Sequence, residues 1–164
     1  MLNRRSCLAG LTGASMAVLG FAARAADPLL VYADGLQSGW WIGGWAKNTP
    51  QFPLEDQKPV QVNMEAWNVL TFQTGTPVDT TAYQTLTIVV HGGDEGKQEF
   101  QLSAKLGEKV VSQELTIKCQ KGQWGRVDVP LRRMKIKGPI DTLFLQNKSA
   151  DKMAPFYVNY VLFQ

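Results

Sequence analysis

Side chains able to do covalent chemistry are few in this chain, and their scarcity narrows what the chemistry could be. His91 is its one histidine, and Cys7 and Cys119 are its two cysteines. A hydrolase triad built on histidine would need His91 itself, and no nucleophile-elbow sequence accompanies it. A zinc site of Cys and His ligands cannot be filled from so small a set. Gly92-Gly93-Asp94-Glu95-Gly96 lacks the Gly-Lys-Ser/Thr and the following helix of a phosphate loop. Paired carboxylates are the remaining catalytic route: Glu65, Asp94, Glu95, Glu99 and Asp128 are available. A glycosidase needs two of them at a defined separation across a cleft, and no spacing marks a pair. His91 closes an apolar run before Gly92-Gly93 and reads as a packing residue.

Aromatic chemistry is better supplied. Residues 38–46 read Ser-Gly-Trp-Trp-Ile-Gly-Gly-Trp-Ala, so three of five tryptophans fall within six positions. On an ideal strand Trp41 and Trp45 point to one side, and Trp40 with Ile42 to the other. Gly43 between the first pair leaves an open strip, and four residues of strand span about 13 Å. Two indoles so placed could stack on separate rings of one glycan chain. Their faces suit the C–H faces of sugars, and the indole N–H supplies a polar handle. The competing reading is that Gly43-Gly44 breaks the strand and all three rings cap the core. Trp124 has the opposite parity to Val127 and Val129 and is a further candidate platform. Tyr83, in a loop beside a strand, is another. Trp67 opens the apolar run "WNVLTF" and reads as packing.

The elements that must position these residues are strands. Short alternating or apolar runs are punctuated by Gly, Pro, Asn and Asp, with no convincing amphipathic helix. Ten strands are expected: 29–32, 40–45, 60–64, 67–73, 86–91, 99–106, 110–118, 123–129, 142–146 and 155–163. Their number and spacing predict an all-β sandwich of two antiparallel sheets. "EFQLSAKL" places Phe100, Leu102, Ala104 and Leu106 on one face and should be wet on the other. "TLTIVV" and "FYVNYVLF" are apolar on both faces and should be central.

Residues 1–25 stand apart from this pattern. Arg4 and Arg5, an apolar stretch from Leu8 to Phe21, and Ala23-Arg24-Ala25 make a secretory signal peptide. The stretch is interrupted by glycines and shorter than the roughly 17–25 residues of a membrane span. Asn3-Arg4-Arg5-Ser6-Cys7-Leu8 resembles a twin-arginine export signal, which implies a bacterial protein of the periplasm or the exterior. The remaining chain, 26–164, fits one domain. Of 17 basic residues, Arg4, Arg5 and Arg24 lie in the leader, which leaves 14 to balance 14 acidic ones. A nucleic-acid binder would keep a basic excess. Cys119 is then the one cysteine left, so no internal disulfide can form. Its alternation with Leu115 and Ile117 makes it a buried thiol.

"VYADGLQSGWWIGGWA" resembles the opening of the galactose-binding-like jelly-roll domains, which include many bacterial carbohydrate-binding modules. "DTTAYQTLTIVVHGGDEGKQEFQLSAKL", "KGQWGRVDVPLRRM" and "PFYVNYVLF" resemble later parts of the same pattern, in the same order, so the likeness spans most of residues 31–163. Trp40 and Trp45 match tryptophans of that pattern; Trp41 has no counterpart, and Asn159 replaces an acidic residue of the closing strand. The resemblance implies a jelly-roll β-sandwich that binds a polysaccharide or oligosaccharide without cleaving it, often with a structural calcium ion and usually beside a catalytic domain. No catalytic neighbour is present here. Calcium takes about six to eight oxygens; Asp34 in the first turn is a candidate ligand, and turn capping is its competing role. The site residues expected to touch ligand are Trp41, Trp45, Trp124 and Tyr83. Two alternatives stand beside this reading: an accessory of surface-polysaccharide handling that meets a protein partner, and a small glycan-active enzyme.

Overall fold

The computed structural model describes residues 26–37 and 39–164; the expected export signal, residues 1–25, lies outside them. Among the described residues twelve strands are present: β1 (Leu29–Tyr32), β2 (Trp40–Gly44), β3 (Lys47–Thr49), β4 (Val60–Asn63), β5 (Val69–Asp79), β6 (Thr85–His91), β7 (Glu99–Leu106), β8 (Lys109–Val110), β9 (Leu115–Lys118), β10 (Trp124–Pro130), β11 (Pro139–Gln146) and β12 (Phe156–Phe163). Helix is confined, among the described residues, to a 3-10 turn at Thr80–Ala82 and a single turn α1 (Leu131–Met134).

The strands form two six-stranded antiparallel sheets. The first runs β10-β6-β12-β4-β3, and β1 also pairs with β12, alongside its C-terminal half. The second runs β2-β5-β11-β7-β8, with β9 also paired to β7. Chain order explains little of this arrangement: β2 and β3 are consecutive, yet they belong to different sheets. The two sheets share one apolar core and make a jelly-roll β-sandwich. Phe100 of the second sheet stacks on Phe156 of the first, with centroids 5.2 Å apart. Tyr32 of the first sheet meets Phe72 of the second at 6.1 Å, its ring tilted by 55°. The doubly apolar strands β6 and β12 are adjacent and interior to their sheet; their core face is buried, while the expected cover on the outer face is partial, with Val89 and Leu162 half-buried and Tyr160 exposed.

Several expected boundaries shift for identifiable reasons. The run 110–118 is two short strands, because Ser112 turns its Oγ to accept the Ala104 N–H at 2.8 Å and interrupts the ladder. The strand expected from Trp67 begins at Val69, because Trp67 has a left-handed backbone (φ 62°) within a turn. β3 is only Lys-Asn-Thr and carries no periodic signal. β2 stops at Gly44, whose φ is 89° and whose Cα lies so near Val69 that an added Cβ would sit 2.3 Å from the Val69 carbonyl oxygen. Cys119 is buried as its alternation predicts, and burial pushes its thiol up to about 12.

Candidate functional site

Register across the second sheet places one set of side chains on its outer face. Trp41 pairs with Gln73, Gln73 with Thr142, and Thr142 with Lys105. In the next outward-facing row, Gly43 lies opposite Thr71, then Phe144, then Ser103. The alternate residues Ile42, Phe72, Leu70, Leu143 and Ala104 face the core. Thr71 and Ser103 are nevertheless buried, although they stand on the outward side. They form the floor of a trough whose larger flanking side chains rise around them.

Trp41 is the most prominent of these. It is 46% exposed, but it is not loose. Its Nε1–H donates to Gln73 Oε1 at 3.1 Å, and Gln73 Nε2 donates in turn to Thr71 Oγ1 at 2.8 Å. At its other edge the six-membered ring reaches the outer side of Gly75, where a Cβ would lie 4.0 Å from Cζ3. The bond to Gln73 and the approach of the ring to Gly75 lay the indole along β5. Gly43 leaves room beside it: a Cβ there would come within 2.9 Å of both Gln73 Nε2 and Thr71 Oγ1 and push those side-chain ends aside.

The cleft beside Trp41 has a volume of about 380 Å³, with Thr71, Gln73, Lys105, Asp141 and Phe144 among its walls. Lys105 Nζ lies 4.0 Å over the centre of the Phe144 ring, a cation–π contact that holds the ammonium above the trough. Asp141 is committed to structure, accepting the Gly107 N–H at 2.6 Å and the Thr142 hydroxyl at 2.9 Å. Trp41 also walls a second cleft on its far side, of about 640 Å³, shared with Leu29, Trp40, Gly75 and Pro77. The trough therefore offers an aromatic platform, amide and hydroxyl groups, the Lys105 cation and the carboxylates of Asp141 and Glu108.

The other expected residues are distributed differently. Trp40 belongs to the core. Trp45 is 64% exposed, but the N–H groups of Trp45 and Ala46 both donate to Val69 O, at 3.0 and 2.9 Å. That bulge, made at Gly44, takes Trp45 out of the strand alternation, so an ideal-strand spacing does not describe the Trp41–Trp45 pair. Trp124 stands on the outer face of the first sheet, the opposite side of the sandwich, in an unbroken register with His91 and Tyr157. Its indole N–H donates to Glu55 Oε2 at 2.9 Å and its ring packs 5.1 Å from His91. Tyr83 packs on Phe163 at 5.9 Å and lines a separate cleft with Arg132 and Ile136. Trp41 and Trp124 thus cannot touch one glycan segment together.

His91 is buried between Trp124 and Tyr157, and its Nδ1 accepts the Gly93 N–H at 3.0 Å. That bond fixes a packing role, as its sequence context suggests. Asp34 caps two loops. Its Oδ1 accepts from Lys58 N at 2.8 Å and from Asn159 Nδ2 at 2.9 Å, while Asn159 Oδ1 accepts from Asp34 N at 3.0 Å. The Lys58 N–H bond first, then Asn159, holds the Asp34 carboxyl below the usual aspartate range. Oδ1 thus serves as the loop cap, while Oδ2 meets only the Tyr160 hydroxyl at 3.4 Å. Among the described residues no cluster of three His, Cys, Asp or Glu side chains could hold a metal.

Of the carboxylates open to a glycosidase reading, Glu99 pairs with Lys118 at 2.6 Å, Glu65 with Lys152 at 2.9 Å, and Asp128 with Arg126 at 2.9 Å. Only Glu99 belongs to the second sheet, at the end of β7 away from Lys105. Sequence reading passed over Gln73, Thr71, Phe144 and Lys105. Their alternate positions within β5, β7 and β11 are visible in the sequence, but the pairing that brings them beside Trp41 is not.

No family model and no curated protein matches the chain. Solved structures do. A family 29 carbohydrate binding module superposes with a TM-score of 0.62 at 10% identity, over 85% of this chain and 92% of the module. A variant of it complexed with mannohexaose gives 0.60 at 10% identity, over 84% of this chain and 90% of that one. Another, complexed with cellulohexaose, gives 0.61 at 9% identity, over 84% and 89%. No helix in the described residues is long and apolar enough to cross a membrane. At such low identity the likeness is one of architecture: the chain has the jelly-roll fold on which these carbohydrate-binding modules are built.

Proposed function

We propose that this protein binds a polysaccharide without cleaving it, in the trough on the outer face of the second sheet, with Trp41 as the stacking platform. The observation that carries the reading is the state of Trp41: nearly half exposed, yet held at its indole N–H by Gln73. A large apolar ring ordered in water contributes little to stability and is best accounted for by a flat apolar ligand face. Gln73, Thr71, Thr142 and Lys105 supply donors and acceptors that would fix the orientation and direction of a hydroxyl-rich chain. The fold shared with modules that hold mannohexaose and cellulohexaose supports the same reading. So does the place of the sole histidine, on the opposite side of the sandwich from the trough. The setting we propose is the periplasm or the cell exterior, reached by the export signal of residues 1–25.

Retention of residues 26–164 on insoluble and soluble plant and bacterial polysaccharides, with mannohexaose and cellohexaose as competitors, tests this directly. Retention on one class, relieved by its oligosaccharide and lost in Trp41→Ala, is expected. A folded protein retained by none would turn the exposed indoles toward a protein partner. Release of shorter saccharides during incubation would establish cleavage instead.

A further inference from the structure

Most edges of this sandwich are blunted. β3 has three residues, β8 two and β9 four; β1 is broken by a register shift between Leu30 and Tyr32, and β2 stops at the Gly44 bulge. Short or bent edges discourage pairing with other chains. β10 is different. It closes one end of the first sheet with seven residues in unbroken register against β6. Its core-facing positions Gly125, Val127 and Val129 carry no charge, and its one proline, Pro130, comes last.

Leu131 fixes the direction of the backbone groups of β10. Its N–H donates to Gln84 O at 2.9 Å, which continues the β10–β6 register by one residue. Such groups alternate along an antiparallel ladder. Val129, Val127 and Gly125 therefore turn theirs toward β6, and Trp124, Arg126 and Asp128 turn theirs the other way. Among the described residues no backbone bond from 124–130 reaches anything but β6. Space at Gly125 is open as well: a Cβ there would meet only Val90 O within 4 Å, at 3.8 Å and on the β6 side. Val127 faces the core yet is only half-buried, as expected of the last core row before an uncovered edge.

This edge is its own complement. Turned end for end about Val127, β10 meets a second β10 with Arg126 opposite the partner's Asp128 and Asp128 opposite the partner's Arg126. These are the residues whose N–H and C=O face the edge, so each pair can exchange both of its backbone bonds and add opposite charges across the strands on the outer face. The existing Arg126–Asp128 bridge, 2.9 Å long, is exposed at both ends and gives up little when it is rearranged.

We infer that the β10 edge is a dimer interface, at which two copies pair antiparallel and join their first sheets into one. Strands paired in this way are related by a two-fold axis normal to the sheet, so the outer faces of both second sheets turn to the same side, within the sheet twist. Two Trp41 troughs would then meet one surface. That consequence rests on the glycan reading; the dimer does not.

Sedimentation equilibrium of residues 26–164 over a dilution series from millimolar to micromolar tests the interface. An equilibrium between one chain and two is expected. Arg126→Asp sets acid against acid in both cross-strand pairs and should raise the dimer Kd by about tenfold. Asp128→Arg sets cation against cation and should do the same, and an equal mixture of the two variants, one of them tagged, should recover a dimer holding one of each. Arg126→Pro removes an N–H that faces the edge and none that bonds β6, so it should leave a folded single chain. A protein that stays a single chain at the highest concentration overturns the inference. So does a dimer that survives unweakened in folded Arg126→Asp and Arg126→Pro. Arg126→Asp should also reduce retention on an insoluble polysaccharide while leaving oligosaccharide affinity unchanged, the sign of a lost second trough. A dimer that binds no polysaccharide supports the interface and overturns the trough reading alone.

Discussion

Replacing Trp41 with alanine separates a binding ring from a packing ring. With 46% of the residue exposed, and a tryptophan surface of about 200–250 Å², roughly 100 Å² lies open. A sugar laid on one face would cover about half of that. At ~25–30 cal/mol per Å² this is about 1.4 kcal/mol, or about tenfold in affinity. The half already covered is held by Gln73 and is not part of the core. Its loss should therefore cost about 1–2 kcal/mol of stability, against the 3–5 kcal/mol typical of a fully buried aromatic. We expect calorimetry with the retained oligosaccharide to show the tenfold loss, and thermal unfolding to show a midpoint lower by about 3–8 °C. Trp41→Tyr should recover part of the affinity. Gln73→Ala, which removes the pin and leaves the ring, should lose a smaller factor, since the ligand must then order the side chain. Affinity within about twofold of the parent in a folded Trp41→Ala protein would refute the argument.

Other expectations follow from the same geometry. Trp124→Ala, on the far face and bonded to Glu55, should leave glycan retention unchanged; retention lost without unfolding would move the site to the first sheet. Gly44→Ala should destabilise by more than about 1 kcal/mol in denaturant titration, because it combines a left-handed φ with a Cβ driven into Val69 O; a neutral result would mean the bulge is not fixed by that glycine. Cys119 should resist alkylation at pH 8 in the native state and react on unfolding, since its thiol is pushed up to about 12; ready native labelling would contradict its burial. Asp34, Asp79 and Asp128 have carboxyls held below the usual aspartate range by hydrogen bonds. Their contribution is complete above the unfolded aspartate range and fades as pH falls below about 4. Asp34→Asn should flatten that acid limb in thermal scans, and an unchanged limb would remove Asp34 as a contributor.

Residue order by itself determined the class of fold, because period-2 alternation and turn residues act locally: "EFQLSAKL" buries Phe100, Leu102 and Ala104, although Leu106 at its end is exposed. It also determined that Cys119 is buried, that Trp124 stands opposite Val127 and Val129, and that Trp40 and Trp41 part company, since adjacent residues of one strand must face opposite ways. Local reasoning failed wherever the backbone left its ideal course. Gly44 bends β2 out of its sheet and takes Trp45 with it, and a left-handed Trp67 sits in water ahead of β5 instead of beginning it. Only the tertiary structure decided which face each tryptophan serves. Gln73, Thr142 and Lys105 meet Trp41 through pairings between residues 32 to 69 positions apart, and Trp124 is separated from them by the whole thickness of the sandwich. Strand alternation says that a side chain faces outward; which sheet, beside which neighbours, is set by long-range pairing that no local pattern encodes.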